Sequence, residues 1–221
     1  MRNYAIAPSP IISLPVVGSV DHFPVRRIYC VGKNYKKHVA EMGGDPAKST
    51  PVFFTKSRES LVQSGSFISY PPQTKNLHYE VELVVAMAGK REIFGYGVGI
   101  DMTRRDLQAK AKAGGKPWDM AKNFDDSAPC SALIKADAVP DLTAAKISLT
   151  KNGEVQQNST LDKMIWPVGE IIAALGKSVT LAAGDLIFTG TPEGVGPVVG
   201  GDKIIGEVDG LPLIEVSFIH A

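Results

Sequence analysis

The stretch His78-Tyr79-Glu80-Val81-Glu82-Leu83-Val84-Val85-Ala86-Met87 decides how the rest of the chain is read. Its apolar, β-branched end reads as a buried strand. Side chains alternate faces along a strand, so Glu80 and Glu82, two residues apart, point the same way. Two like charges leading into a buried strand repel each other and are costly to desolvate. A cation held between them removes both penalties. The plainer alternative is a strand end whose acids reach solvent.

Immediately downstream, Gly95-Tyr96-Gly97-Val98-Gly99-Ile100-Asp101 is a glycine-rich strand. It does not fit a dinucleotide fingerprint, because neither Ile100 nor Met102 supplies the third glycine of G-x-G-x-x-G. Glycines in a strand instead mark a close backbone approach or a bulge. This strand delivers Asp101 at its end. Glu80, Glu82 and Asp101 together make three oxygen donors with no cysteine or histidine cluster, a set that selects a hard cation, Mg²⁺ or Mn²⁺ before Zn²⁺. Three protein ligands leave room for water and a chelating substrate. His78, beside the pair, reads as structural or supporting rather than as a ligand.

Upstream, residues 1–25 are proline-rich and read as an extended arm with one or two short strands. Arg26–Val31 reads as a strand ended by Gly32. Lys33–Met42 is a short helix with Asn34 as its N-cap and Gly43-Gly44 as its stop. It carries His38 and Glu41, which meet at i,i+3 on one face. A carboxylate that orients an imidazole is the composition of a general-base pair, although a solvent-exposed helix face of mixed charge has the same spacing. Asp45–Thr50 is a polar loop. Pro51–Lys56 and Phe67–Tyr70 read as strands.

Downstream, Thr103–Ala113 reads as a helix with Thr103 and Asp106 in a capping box and Gly114-Gly115 as its stop. Arg104, Arg105 and Gln108 lie in its first turns. Pro117–Phe124 reads as a loop carrying Trp118 and Lys122. Asn152-Gly153 is a type I′ hairpin signal between Ala144–Thr150 and Glu154–Gln156. The spacing of Val168, Ile171, Ile172 and Leu175 predicts a helix from Pro167 to Leu175, stopped by Gly176. Leu186–Thr189 reads as a strand and Gly190–Pro197 as a rigid glycine-proline loop. Lys203–Val208 and Leu213–Ile219 close the fold around an Asp209-Gly210 turn.

At 221 residues, 44% apolar and 21% charged, the chain is one globular domain, 26–221, behind its N-terminal arm. Its 15 prolines and 22 glycines are spread evenly and mark many turns between short segments, which favours a β-rich α+β fold. A net charge of +1 with scattered Lys and Arg gives no electrostatic footprint for nucleic acid. No apolar run has membrane-spanning length, and Met1–Pro15 lacks the pattern of a secretory signal, so a cytoplasmic protein is expected. Cys30 and Cys130 sit among apolar or small residues and read as buried free thiols.

Four stretches carry a resemblance. They are Tyr29-Cys30-Val31-Gly32-Lys33-Asn34-Tyr35-Lys36-Lys37-His38, His78-Tyr79-Glu80-Val81-Glu82-Leu83, Gly99-Ile100-Asp101-Met102-Thr103-Arg104-Arg105-Asp106-Leu107-Gln108, and Phe188-Thr189-Gly190-Thr191-Pro192-Glu193-Gly194-Val195-Gly196. In this order and spacing, from about Arg26 to the C-terminus, the chain resembles the fumarylacetoacetate hydrolase superfamily, in its small acylpyruvate-hydrolase branch. The wording of Phe23–Gly32 and Glu41-Met42-Gly43 is most similar to that of fumarylpyruvate hydrolases of gentisate-type aromatic degradation. The resemblance implies a β-rich mixed sheet rolled into a barrel-like body, commonly a homodimer. It implies Mg²⁺ or Mn²⁺ on Glu80, Glu82 and Asp101, and a His38/Glu41 dyad on a lid helix. It further implies Lys122 as a catalytic group and Lys56, Arg105, Gln108 and Thr191 as substrate-binding residues. Relatives have a longer connector where this chain has only Ala88–Phe94 between the acidic strand and the Gly-Tyr stretch.

The expected reaction is metal-dependent hydrolysis of the C–C bond of a 3-acylpyruvate, fumarylpyruvate and water giving fumarate and pyruvate. His38 would activate the water, and a pyruvate enolate would leave. Lys56, Arg105 and Lys122 are equal candidates for a second substrate carboxylate. Oxaloacetate decarboxylation, keto-acid tautomerisation or sugar-acid dehydration on the same scaffold would use the same acidic triad. A non-catalytic ligand-binding protein would need the carboxylates without the dyad.

Overall fold

A computed structural model describes residues 3–45, 47 and 51–220. Among them the architecture is two curled sheets packed face to face, with short helices at the rim. Of the expected Asp45–Thr50 loop, residues 46 and 48–50 lie outside the described set.

The larger sheet runs, in spatial order, Val52–Lys56, Arg27–Gly32, Asp185–Phe188, Val81–Met87, Ile93–Ile100, Ala128–Cys130 and Leu61–Gln63, with Ile134–Lys135 also pairing Ile93–Ile100. Two of its pairings are parallel, so the sheet is mixed. The second sheet orders Glu154–Thr160, Lys146–Lys151, Lys203–Val208, Ile214–Ile219 and Ser66–Ser69. A small third sheet joins Thr103–Arg104, Leu77–Tyr79 and Gly196–Val198.

Every residue of Val81–Met87 is buried, because both faces of this central strand are covered. Val81, Leu83, Val85 and Met87 face the core shared with Ile147, Leu149, Ile204 and Val216 of the second sheet. Val84 and Ala86 face a second core with Ile28, Cys30, Leu186 and Phe188. Each buried aliphatic side chain contributes about 1.5–3 kcal/mol. Both cysteines are buried and unpaired, as expected.

Part of the expected 1–25 arm packs onto this second core. Ser13–Pro15 and His22–Pro24 form an antiparallel hairpin, and Leu14, Val16, Phe23 and Val25 are buried in that core. Residues 3–11 and the turn residues 17–22 are exposed. The apolar side chains at 14, 16, 23 and 25 needed a sheet face to cover, and that partner is not visible locally in a proline-rich stretch.

Other departures have identifiable causes. The first helix is Lys36–Glu41, and Asn34 does not cap it. Asn34 is fully buried, donates to the carbonyls of Trp166 and Thr189, and accepts from the Trp166 N–H. The next helix is Arg105–Ala113 without the expected capping box. Thr103 pairs with His78 in the small sheet, and its hydroxyl binds Asp101 O and Lys122 instead. Asp119–Lys122, read as loop, is one helical turn. The Asn152-Gly153 turn is as expected, with φ of 53° and 85° joining Lys151 to Glu154. The 88–92 connector is a tight turn between Val81–Met87 and Ile93–Ile100, closed by Ala88 N–H donating to Glu92 O.

Candidate active site

The acidic cluster follows from strand register. Val81–Met87 and Ile93–Ile100 pair antiparallel with Val81 opposite Ile100, so the residues just beyond, Glu80 and Asp101, are brought side by side. Asp101 N–H donates to Glu80 O at 2.9 Å and closes this end of the hairpin. Gly99 lies opposite Glu82. A Cβ there would fall 2.4 Å from Phe188 Cε1, so glycine is required where the sheet and Phe188 crowd together. Carboxylate oxygens of Glu80, Glu82 and Asp101 lie within 4.8 Å of one another, all three residues buried.

Cations surround the cluster. Lys122 Nζ lies 2.9 Å from Glu80 Oε2, 2.5 Å from Asp101 Oδ2 and 2.7 Å from Thr103 Oγ1. Arg105 Nη2 donates to Glu80 Oε1 at 2.6 Å, and its Nη1 to Gln108 Oε1 at 2.7 Å. Burial opposes ionisation of Glu80, yet Lys122, Arg105 and His38 together hold its carboxyl well below the usual range. Burial likewise opposes the charge on Lys122, and Asp101 and Glu80 raise its pKa.

Glu82 is the opposite case. Burial, then the charges of Asp101 and Glu80, push its carboxyl well above the usual range. The Gly190 N–H, 2.8 Å from Oε2, offsets this in part. Gly190 has φ of 98° and packs where a Cβ would meet Asn34 at 2.7 Å, so the buried Asn34 clamp shapes the loop that serves Glu82. Asp101 Oδ1 is 2.9 Å from Lys56 Nζ but buried without a well-formed hydrogen bond. An oxygen-only donor set, one under-compensated glutamate and one carboxylate oxygen without a well-formed hydrogen bond fit a hard divalent cation.

The dyad meets this cluster across a cavity of about 270 Å³. His38 Nδ1 is 3.1 Å from Glu41 Oε2, and Glu41 Oε1 accepts the Gly194 N–H at 3.1 Å. Lys37 pairs with Glu193 at 3.3 Å, so the short helix is tied to the Gly190–Gly196 loop at two points. His38 is 7% exposed and lines the cavity with Glu80, Glu82, Gln108, Lys122 and Thr191. The exposed-face reading of the helix is therefore wrong for His38: one face covers the cavity.

One expected site residue is placed differently. The Lys56 ammonium is fully enclosed, 2.9 Å from Asp101 Oδ1, donating to the carbonyls of Met102 at 3.1 Å and of Lys122. It does not line the cavity, and it supports Asp101 from behind rather than reaching a substrate. His78 stands outside the acidic cluster: its Nε2 meets Asn76 Oδ1 at 2.8 Å, and burial, then Arg105, pushes its pKa down to about 4.

Gln157 was not visible as a site residue. It is fully buried on the hairpin strand, accepts the Val81 N–H between the two glutamates at 3.0 Å, and donates to Thr191 Oγ1 at 2.8 Å and Pro192 O at 2.9 Å. It thus joins the acidic strand to the Thr191 loop. Nothing in its local sequence signals this. Lys33, Lys112 and Trp118 also line the cavity. Lys112 lies one turn beyond Gln108, so helical spacing could have found it.

Residues 27–218 match the model of the fumarylacetoacetate (FAA) hydrolase C-terminal family. The chain belongs to this family. It is 45% identical over 183 residues to a fumarylpyruvate hydrolase of a Ralstonia species, covering 78% of this chain and 95% of that one. It is also 39% identical over 204 residues to an oxaloacetate tautomerase of Escherichia coli, covering 87% and 93%. Among solved structures, the fumarylpyruvate hydrolase of Pseudomonas aeruginosa in complex with Mn²⁺ and pyruvate superposes with a TM-score of 0.96 at 43% identity. That match covers 99% of this chain and 100% of the other. No helix among the described residues is long and apolar enough to cross a membrane.

Proposed function

We propose that this enzyme hydrolyses the C–C bond of a 3-acylpyruvate, with fumarylpyruvate as the substrate and fumarate and pyruvate as products. The observation that carries the reading is that His38, paired with Glu41, lines one cavity with Glu80 and Glu82, which cluster with Asp101 behind them. The similarity to fumarylpyruvate hydrolases, one of them a complex with Mn²⁺ and pyruvate, supports it.

Glu80, Glu82 and Asp101 would hold Mg²⁺ or Mn²⁺, which supplies Lewis-acid stabilisation of developing charge on the keto-acid oxygens. The chain's own groups do the rest. Glu41 accepts a hydrogen bond from His38 Nδ1–H and is itself held by Gly194 N–H, so Nε2 is left as the base that takes a proton from water. The activated water adds to the distal acyl carbonyl, the C–C bond breaks to give fumarate and pyruvate enolate, and the proton held on His38 Nε2 returns to the enolate carbon. Lys122 and Arg105 hold Glu80 ionised and in place. Gln108 and Thr191, on the cavity wall, orient the keto acid.

A second reading has its own support: the 39% identity to an oxaloacetate tautomerase. Tautomerisation moves a proton between carbon and oxygen and needs no activated water. A panel of fumarylpyruvate, acetylpyruvate and oxaloacetate decides between them. Pyruvate released from the acylpyruvates in a metal-dependent way supports the hydrolase. Enol–keto conversion of oxaloacetate without acylpyruvate cleavage supports the tautomerase.

A further inference from the structure

Three cations nearest the acidic cluster are already committed. Lys56 is enclosed against Asp101 and two carbonyls, Lys122 is shared by Glu80, Asp101 and Thr103, and Arg105 is on Glu80 and Gln108. None has its charge free for a second substrate carboxylate. Lys112 differs. It lines the same cavity, has no carboxylate within ion-pairing distance among the described residues, and is held 5.2 Å above the Trp118 ring. Burial and then the like charge of Arg105 push its pKa down, Glu80 opposes this, and Lys33 and Lys122 add to the crowding of positive charge. Such a cation gains from a carboxylate counter-charge.

Its place on the helix is informative. Arg105, Gln108 and Lys112 stand at i, i+3 and i+7 of Arg105–Ala113, one face of the helix. Arg105 reaches the acidic cluster. Lys112 lies about 10 Å further along the axis at 1.5 Å per residue. Lys112 and Trp118 line the same cavity as Glu80 and Glu82.

We infer that Lys112, seated on Trp118, receives the distal carboxylate of the substrate and so selects dicarboxylic over monocarboxylic 3-acylpyruvates. This rests on the reading of the chain as an acylpyruvate hydrolase. Trp118 acts as a positioning residue, holding the ammonium over its face.

The test compares wild type, Lys112→Met and Lys112→Arg, all loaded with Mg²⁺. Fumarylpyruvate has the distal carboxylate and acetylpyruvate does not. Lys112→Met is expected to lower the ratio of kcat/KM for fumarylpyruvate over acetylpyruvate about tenfold, through KM, and Lys112→Arg to restore part of it. A calorimetric arm uses fumarate, a dianion, and crotonate, a monoanion of similar shape. Wild type is expected to prefer fumarate, and Lys112→Met to lose that preference. An unchanged kcat/KM ratio, or an undiminished fumarate preference in Lys112→Met, overturns the inference. Absence of acylpyruvate turnover in every variant overturns the hydrolase reading instead, and the calorimetric arm still decides the role of Lys112.

Discussion

The Lys122 ammonium is 2.5 Å from Asp101 Oδ2, with both side chains almost wholly buried. Because it also touches Glu80, one lysine binds two carboxylates of the acidic cluster together. Removing one partner of such a buried network leaves an uncompensated charge. Lys122→Met is therefore expected to destabilise the metal-free protein by about 3 kcal/mol, read from urea unfolding. Saturating Mg²⁺ should recover part of that loss. A change below about 1 kcal/mol would contradict the arrangement.

Glu82 makes a prediction with a definite sign. Its carboxyl is raised by burial and by Asp101 and Glu80. Above the ordinary carboxyl value of about 4.3, the folded chain keeps a proton that the unfolded chain has lost. The Glu82 contribution to metal-free stability thus falls as pH rises through that window. Metal binding needs the carboxylate and expels the proton, so the rise in Tm on adding Mg²⁺ should be larger near pH 8 than near pH 6. Glu82→Gln should raise the metal-free Tm at pH 8 and remove the metal-induced rise. Thermal scans at the two pH values check both; an undiminished metal response in the variant would exclude Glu82 as a ligand.

Gln157 offers a third. Its amide accepts from Val81 and donates to Thr191, so it sets the distance between the acidic strand and the Thr191 loop. Gln157→Leu keeps the volume and strands the Val81 N–H without a partner. We expect a loss of about 2 kcal/mol in stability and a fall in kcat larger than any change in KM. Steady-state kinetics at a temperature where the variant is fully folded separates the two. Unaltered kcat would make Gln157 purely structural.

How far the sequence reached can be judged from particular residues. Glu80 and Glu82 were legible because strand alternation is a local rule, and Asp101 because it ends the next strand along the chain. The Asn152-Gly153 hairpin and the helix near Val168–Leu175 were legible for the same reason. Asn34 and Thr103 were misread as helix caps, since both have cap chemistry but spend it on partners that arrive from elsewhere. Asn34 bonds residues 132 and 155 positions away, and Lys122 reaches Thr103 across 19. Gln157 and the burial of Lys56 depended wholly on such distant contacts. The N-terminal hairpin was hidden because its apolar residues cover a sheet built from the rest of the chain.

The central claim is that His38, held by Glu41, is the base that activates water at this cavity. The most direct measurement is fumarylpyruvate hydrolysis by His38→Ala in Mg²⁺, followed as pyruvate release, beside the metal-induced shift in Tm of the same preparation. The account predicts a fall in kcat of about a thousandfold with the Tm shift retained. Turnover near the wild-type rate would contradict it.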